Sequence, residues 1–170
     1  MRITILGAGN IGLAAGTKWK AKGHDITFGV RDPQSQKAWN AINIGAKVTT
    51  FQESMTDAEV VLVAIPFGVA DEVLKSIDVE WDGKIIIDAT NPISVSTEPF
   101  ESAAEAISAW TGSADVVKAF NTTGVGNMTN PEYNGKAIET FICGDEVASK
   151  QTVSTLAQDL GFRVVDVGGI

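Results

Sequence analysis

Short apolar runs alternate with amphipathic segments along the chain, a pattern typical of a parallel β-sheet with connecting helices. The run EVVLVAI at residues 59–65 is almost wholly apolar, as expected of a strand buried on both faces of such a sheet. Strands are predicted at residues 2–6, 25–30, 47–50, 59–65, 84–88, 115–120, 138–143 and 163–167. Helices are predicted at residues 10–22, 33–41, 51–56, 69–77, 102–110 and 146–160, with a long glycine- and asparagine-rich loop at 121–135.

This alternation predicts the architecture of the whole chain. Strands that alternate with helices form right-handed βαβ units, which build a mainly parallel sheet with helices on both faces. We therefore expect residues 1–170 to form one α/β domain of the Rossmann type, doubly wound, with no internal repeat. The expected strand order is 3-2-1-4-5-6, and the remaining strands extend one edge of the sheet.

A glycine-rich turn follows the first predicted strand. Gly7, Gly9 and Gly12 match the pattern G-x-G-x-x-G, which begins where the strand ends and finishes inside the first helix. In this context the first glycine permits the tight turn and the second lets a pyrophosphate approach the backbone. The third glycine lets the helix pack closely on the strand. The turn predicts a dinucleotide site, because the helix N-terminus offers free N–H donors to phosphate. A glycine turn without a ligand is the alternative.

The end of the second strand indicates which dinucleotide is bound. An NAD site usually places an acidic residue here, where it accepts a hydrogen bond from the ribose 2′-hydroxyl. This chain reads FGVRDP, so that Val30 adds no charge and Arg31 is available to pair with a 2′-phosphate. NADP(H) is therefore the predicted cofactor. Asp32 leaves NAD open, because a register shift of one or two residues would turn it toward the ribose.

Two proline-containing strand ends are candidates for the nicotinamide half of the site. Ile65-Pro66-Phe67 follows the fourth strand and Thr90-Asn91-Pro92-Ile93 follows the fifth. Ligands of open α/β sheets lie outside the carboxyl ends of the strands, so these loops are expected to line a flat apolar slot. Prolines that simply end strands are the alternative.

Composition narrows the function classes further. The net charge of −8 argues against nucleic-acid and anionic-membrane partners, and no apolar run approaches the length of a spanning helix. Cys143 is the only cysteine, so no intrachain disulfide is possible and a cytoplasmic location is expected. His24 is the only histidine and is expected in a turn far from the strand carboxyl ends. No metal site is predicted, and no lysine or histidine is expected beside the nicotinamide slot as a general acid for carbonyl reduction. Cys143 is expected to be a small buried apolar residue.

The segments GAGNIG, FGVRDP, VAIPFGVA, DATNPI and VKAFNTTGVGNM occur in this order and together resemble the coenzyme F420-dependent NADP oxidoreductases. They are also similar to the oxidoreductase domains of six-transmembrane ferric reductases. The resemblance implies hydride transfer between NADPH and a deazaflavin (F420) or a flavin, without a metal. By position it assigns residues to the pyrophosphate and 2′-phosphate (Ala8, Gly9, Asn10, Ile11, Val30, Arg31), to the nicotinamide half (Ile65, Val69, Asn91, Ile93, Val125) and to the acceptor ring (Asn121, Gly124).

Three departures from the family's pattern bear on function. Val30 replaces a serine that helps to bind the 2′-phosphate, and Asn121 replaces a histidine that touches the deazaflavin. Family members also continue beyond the strand at residues 163–167 through helices that close the acceptor site. We therefore expect a second copy of the chain to cover residues 121–133, giving a homodimer, with a monomer carrying a mobile loop as the alternative.

Three functions remain open at this point. The first is an NADPH-dependent oxidoreductase whose small-molecule redox acceptor is a deazaflavin (F420) or a flavin. The second is a non-catalytic NADP-binding module with a redox-sensing or interaction role. The third is reduction of a ketone or imine, although families that do this on similar domains add a long helical domain.

Overall fold

The computed structural model describes all 170 residues, and its helices and strands alternate as the sequence predicts. The strands are β1 (Arg2–Leu6), β2 (Asp25–Val30), β3 (Lys47–Thr50), β4 (Val60–Val63), β5 (Ile85–Asp88), β6 (Val116–Ala119), β7 (Glu132–Tyr133), β8 (Lys136–Ala137), β9 (Glu139–Gly144) and β10 (Arg163–Asp166). The helices are α1 (Asn10–Ala21), α2 (Gln36–Asn43), α3 (Phe51–Ser54), α4 (Phe67–Ser76), α5 (Ala103–Thr111), α6 (Val125–Thr129) and α7 (Val147–Asp159).

Eight strands form one sheet in the order β3-β2-β1-β4-β5-β6-β9-β10. The first six of these strands run parallel to one another, and β9 pairs antiparallel with β6. Strand β10 is parallel to β9. The predicted Rossmann-type order 3-2-1-4-5-6 with extra edge strands is therefore confirmed. Because the six parallel strands point the same way, the loops at their carboxyl ends meet at one edge of the sheet.

Two apolar layers hold the helices on the sheet. On one face, α1 and α7 pack over a core that contains Trp19, Phe28 and Phe120, each nearly or completely buried. The Trp19 indole N–H donates a hydrogen bond of 2.8 Å to the Leu156 carbonyl, so α1 and α7 are joined by a buried polar contact as well. On the other face, α4 and α5 cover β4 and β5, with Leu74 as one of the fully buried side chains. This two-sided burial fixes the parallel strands, and with them the edge where their loops meet.

Two predicted segments differ from the structure. Helix α2 begins at Gln36 and not at residue 33, because the Ser35 side chain caps it by accepting a bond from the Ala38 N–H. The predicted loop at 121–135 contains the short helix α6 and the first strand of the hairpin β7–β8. Asn134 and Gly135 join the hairpin strands with φ values of 51° and 74°. An Asn-Gly pair with two positive φ values is a strong hairpin signal.

The lone histidine lies where it was expected, whereas the lone cysteine is less buried than expected. His24 does lie in a turn away from the cleft edge, but its side chain is only 10% exposed and its Nε2 atom is 3.0 Å from the Asp159 carboxylate. Cys143 is half-buried where full burial was expected. Desolvation raises the pKa of the Cys143 thiol above its ordinary value.

Candidate cofactor-binding site

A cleft of about 400 Å³ opens at the carboxyl edge of the sheet, between β1, β2 and β4. Its walls include predicted residues from the glycine turn, from the end of β2 and from the loop that leads into α4. These predicted residues are Gly7, Ala8, Gly9, Val30, Arg31, Ile65, Pro66 and Val69. The structure therefore brings together residues that are separated by as many as 62 positions in the chain, although their assignment to a cofactor stays a prediction.

The three glycines of the turn differ in their surroundings, and the fold itself requires glycine at two of them. Gly7 has a φ of +102°, and a methyl group there would lie 2.7 Å from the Ala64 carbonyl oxygen. At Gly12 a methyl group would collide with the carbonyl oxygen of Gly7, so this glycine sets how closely α1 approaches the strand. A methyl group at Gly9 would meet no atom within 4 Å, which leaves the backbone there open to a ligand. Gly7 and Gly12 therefore have the roles that the spacing predicts, and the contact of Gly9 with a pyrophosphate stays a prediction.

The N-terminus of α1 opens toward this free space. Gly9 is the capping residue and has no side chain to satisfy the first-turn amides. The first backbone bond inside the helix runs from the Leu13 N–H to the Gly9 carbonyl at 2.9 Å, so the N–H groups of Asn10, Ile11 and Gly12 have no partner within the helix. Such amides, together with the positive end of the helix dipole, form a binding site for phosphate.

Two exposed cations lie at the far end of the cleft. Arg31 and Lys37 both line it, and neither takes part in any of the ion pairs of the structure. The sequence pattern identifies Arg31 but misses Lys37, which follows Arg31 by six residues and reaches the cleft from the first turn of α2. The signal that could have identified Lys37 is a cationic residue that follows a predicted strand end and lies near the start of the next helix.

Asp32 is held within its own turn. Its carboxylate accepts a 2.9 Å hydrogen bond from the Gln34 N–H, and its carbonyl accepts bonds from the N–H and the hydroxyl of Ser35. This arrangement is an Asx turn leading into the cap of α2. Asp32 lines the cleft, but its carboxylate stabilises the turn beside Arg31.

The wall toward α4 is apolar. Ile65 and Val69 are half-buried there, and they are joined by Phe51 and Val73, which the sequence did not single out. Pro66 caps α4 without a side-chain hydrogen bond. An apolar wall together with a cationic end is the arrangement expected for a ring and a phosphate group of one ligand.

Other predicted residues lie outside this cleft. Asn91 and Ile93 are exposed beyond the end of β5, and Pro92 between them is half-buried. Val125 lines a second groove of about 360 Å³ between α1 and α6, together with Asn10. Asn121 is half-buried and Gly124 is exposed in the chain that leads from β6 to α6. The structure thus separates the predicted nicotinamide residues into a group that lines the cleft and a group outside it.

A buried charged pair lies at the carboxyl ends of β5 and β6, and the sequence pattern missed it. The Lys118 ammonium is 2.8 Å from the Asp88 carboxylate, whose side chain is fully buried. The same ammonium donates to the carbonyl of Thr90, so a lysine does lie beside the loop after β5, with its ammonium bonded to Asp88 and Thr90. The signal that could have identified the pair is one charged residue near the end of each of two neighbouring apolar strands, KIIID and VVKAF.

Phe120 directly follows β6 and has an unusual backbone conformation. Its φ is +66°, although the side chain is bulky and 1% exposed. The ring packs against Trp19 and Phe162, with centroid distances of 6.4 and 6.3 Å. Left-handed conformations of bulky residues are strained and persist only where packing holds them. The buried ring of Phe120 therefore sets the direction in which the chain leaves β6 toward Asn121.

Two further classes of feature are not present. No group of three or more His, Cys, Asp and Glu side chains is arranged to hold a metal ion. No helix combines the length and the apolar character needed to cross a bilayer.

Comparison with known proteins identifies the family. A family model described as NADP oxidoreductase, coenzyme F420-dependent, matches residues 2–92, which include the glycine turn and the loop after β5. The chain belongs to this family. The resemblance stated from the sequence motifs is therefore confirmed, including its link to NADP as the family's cofactor.

Individual relatives agree with this membership. The chain is 27% identical over 198 residues to an F420-dependent NADP reductase of Methanothermobacter marburgensis, which covers all of this chain and 85% of that protein. It is 29% identical over 170 residues to rat metalloreductase STEAP3. That match covers 99% of this chain but 34% of the relative, so the chain spans about a third of the metalloreductase's length.

A solved structure supports the same conclusion. The crystal structure of a putative F420-dependent NADP reductase from Arthrobacter sp. FB24 superposes with a TM-score of 0.84 at 26% identity. It covers 99% of this chain and 85% of that one. The Rossmann-like fold of this family is therefore common to both chains.

Proposed function

We propose that this chain binds NADP(H) across the carboxyl edge of its sheet and transfers a hydride between the nicotinamide and a deazaflavin (F420) or flavin acceptor. The open space at Gly9 beside the free amides of α1 is the observation that carries the proposal. Family membership supports the choice of NADP and of a redox reaction.

In this proposal the two ends of the cleft bind different phosphate groups of the cofactor. In the proposed complex the pyrophosphate lies against Gly9 and the amides of Asn10 and Ile11. Arg31 and Lys37, which have no ion-pair partners in the structure, hold the 2′-phosphate. The Asp32 carboxylate is already bonded in its turn, which favours a 2′-phosphate over a free ribose hydroxyl at this end.

The nicotinamide half then extends past Ile65 and Val69 toward Asn91, Ile93 and Val125. Bound NADPH supplies the hydride. The protein's part is to align two rings face to face and to keep water from the reacting atoms, because hydride transfer depends on close, oriented contact. In this proposal Asn121 and Gly124 meet the acceptor ring, and the buried Phe120 ring directs the backbone that carries them.

A screen of acceptors tests the proposed activity. NADPH oxidation is followed at the nicotinamide absorbance with F420, FMN, FAD and ferric complexes, each offered in turn to the protein. We expect turnover with F420 or a flavin and none in the absence of an acceptor. Tight NADPH binding without turnover on any acceptor would contradict the proposal and favour a non-catalytic NADP-binding module.

We also propose that a second copy of the chain covers residues 121–133, giving a homodimer. Tyr133 is 73% exposed and Val125 is 40% exposed, although both are large apolar or aromatic side chains. Met128, between them in sequence, is completely buried against α1 and cannot serve in that contact. Light scattering at micromolar protein tests this assembly, and a particle of monomer mass with and without NADPH would contradict it.

A further inference from the structure

The loop after β5 is attached to the sheet through side chains. Its last backbone bond to a neighbouring strand runs from the Ala89 N–H to the Val63 carbonyl at 3.2 Å. Beyond it, the Thr90 N–H donates to the Asp88 carboxylate at 2.8 Å, and the Thr90 carbonyl accepts from the Lys118 ammonium. Both backbone polar groups of Thr90 are therefore held by Asp88 and Lys118.

This attachment depends on a buried charged pair, in which the carboxylate must be both paired and hydrogen-bonded. The Asp88 side chain is completely buried and the Lys118 side chain is 15% exposed. A buried carboxylate is tolerated only when it is paired and hydrogen-bonded, and here its two oxygens take one bond each, from Lys118 and from the Thr90 N–H. Lys118 therefore joins β6, β5 and the Thr90 backbone at a single ammonium group.

Nothing comparable holds the next residues. The backbone bonds of the segment that follows are local, from the Ile93 N–H to the Asn91 carbonyl at 2.8 Å and from the Val95 N–H to the Pro92 carbonyl at 3.5 Å. Pro92 itself has no N–H to donate. The position of Asn91 relative to the sheet is consequently set one residue earlier, at Thr90.

We propose that Lys118, oriented by Asp88, is a positioning residue that fixes the Thr90 backbone and thereby presents Asn91 and Pro92 to the nicotinamide half of bound NADPH. The inference rests on the proposed function, and it adds a residue that acts through the loop without touching the cofactor. Preorganised binding groups avoid the entropy cost of ordering when the ligand arrives, so loosening this loop weakens binding of the half that it faces.

The adenosine half of the site provides the discriminating measurement. Adenosine 2′,5′-bisphosphate reaches the amides of α1 and Arg31 but not the loop after β5. For the Lys118→Met variant we expect NADPH affinity to fall roughly tenfold, because an unheld loop must be ordered on binding. The affinity for the bisphosphate stays within about twofold of wild type. A change confined to overall stability would not separate the two ligands.

A matched control uses another lysine that bonds a carbonyl. Lys84 donates to the Ala58 carbonyl at 3.0 Å, at the start of β5 and therefore at the opposite edge of the sheet. The Lys84→Met variant also removes one lysine–carbonyl bond, and we expect it to bind both ligands as the wild type does. Comparing the ligand affinities of the two variants separates the effect of loosening the loop from the effect of removing a lysine elsewhere.

A second variant provides the same test if Lys118→Met does not fold. Removing Lys118 alone leaves the Asp88 carboxylate buried without its cation, which is strongly destabilising. The double variant Asp88→Asn/Lys118→Met carries no buried charge, yet the Thr90 carbonyl still loses its donor. We expect it to fold and to show the same selective loss of NADPH affinity.

The outcomes are distinct. A selective loss of NADPH affinity in a folded variant, with unchanged affinities in Lys84→Met, supports the inference. Wild-type affinity for both ligands, or an equal loss for both, overturns it while leaving the proposed function intact. Failure of the wild-type protein to bind NADPH overturns the proposed function and this inference together.

Discussion

The replacement Gly9→Ala separates cofactor binding from folding. The new methyl group would meet no protein atom within 4 Å, and the φ of Gly9 is −79°, which any residue adopts. Alanine is a poorer helix cap than glycine, which lowers stability. It also reduces the conformational entropy of the unfolded chain, which stabilises the folded protein by about 0.4–1 kcal/mol, so the two effects oppose each other. The free energy of unfolding should therefore change by less than about 1 kcal/mol.

Binding should respond much more strongly. If the pyrophosphate rests on the Gly9 backbone, the methyl group occupies its space, and overpacking of this kind costs about 1–3 kcal/mol. Since 1.4 kcal/mol is tenfold in affinity, we expect NADPH to bind roughly 5- to 150-fold more weakly. Calorimetric titration measures the affinity, and urea denaturation measures the stability of the same preparation.

A control glycine makes the result interpretable. Gly126 in α6 also faces open space, so Gly126→Ala should leave NADPH affinity within about twofold. Unchanged NADPH affinity in Gly9→Ala would refute the placement of the pyrophosphate. A large loss of stability in that variant would refute the claim that the site at Gly9 is open in the free protein.

Further outcomes are expected from the same structure. Gly12→Ala should lower the free energy of unfolding by about 2 kcal/mol, because its methyl group collides with the rigid Gly7 carbonyl; a urea midpoint equal to that of the wild type would contradict this. Ser35→Ala should cost about 1 kcal/mol through loss of the α2 cap, seen as a lower thermal midpoint, and an unchanged midpoint would argue against the cap. Burial raises the pKa of the Cys143 thiol, so iodoacetamide at pH 8.5 should modify it more slowly than free cysteine and at a normal rate after denaturation. Mass spectrometry follows the reaction, and equal rates before and after denaturation would contradict the raised pKa.

The sheet was predictable because its signals are local. Glycine at position 7 and the apolar run of β4 each define an element without reference to the rest of the chain. The order 3-2-1-4-5-6 is then the one expected of the doubly wound fold in which such a glycine turn follows the first strand. The segment between β6 and β9 was harder, because α6 depends on the burial of Met128 against α1, a contact between distant parts of the chain.

The candidate site divides in the same way. Gly9 and Arg31 are identified by spacing from the first strand, and the structure brings both to one cleft. Lys118 and Asp88 lie 30 residues apart on neighbouring strands, and their pairing becomes visible only when the register Asp88↔Lys118 is known. Lys37 was missed because the start of α2 was placed at residue 33 in place of Gln36.

The preference between NADPH and NADH tests the central claim most directly. Calorimetric titration of the wild-type protein with both cofactors, repeated on Arg31→Ala, compares two ligands that differ only in the 2′-phosphate. Loss of a charge-assisted contact costs about 1.5–3 kcal/mol, so the wild type should prefer NADPH by roughly 10- to 150-fold, and Arg31→Ala should lose most of that preference while binding NADH unchanged. Equal affinity of the wild type for NADPH and NADH, or an equal loss for both in Arg31→Ala, would contradict the account.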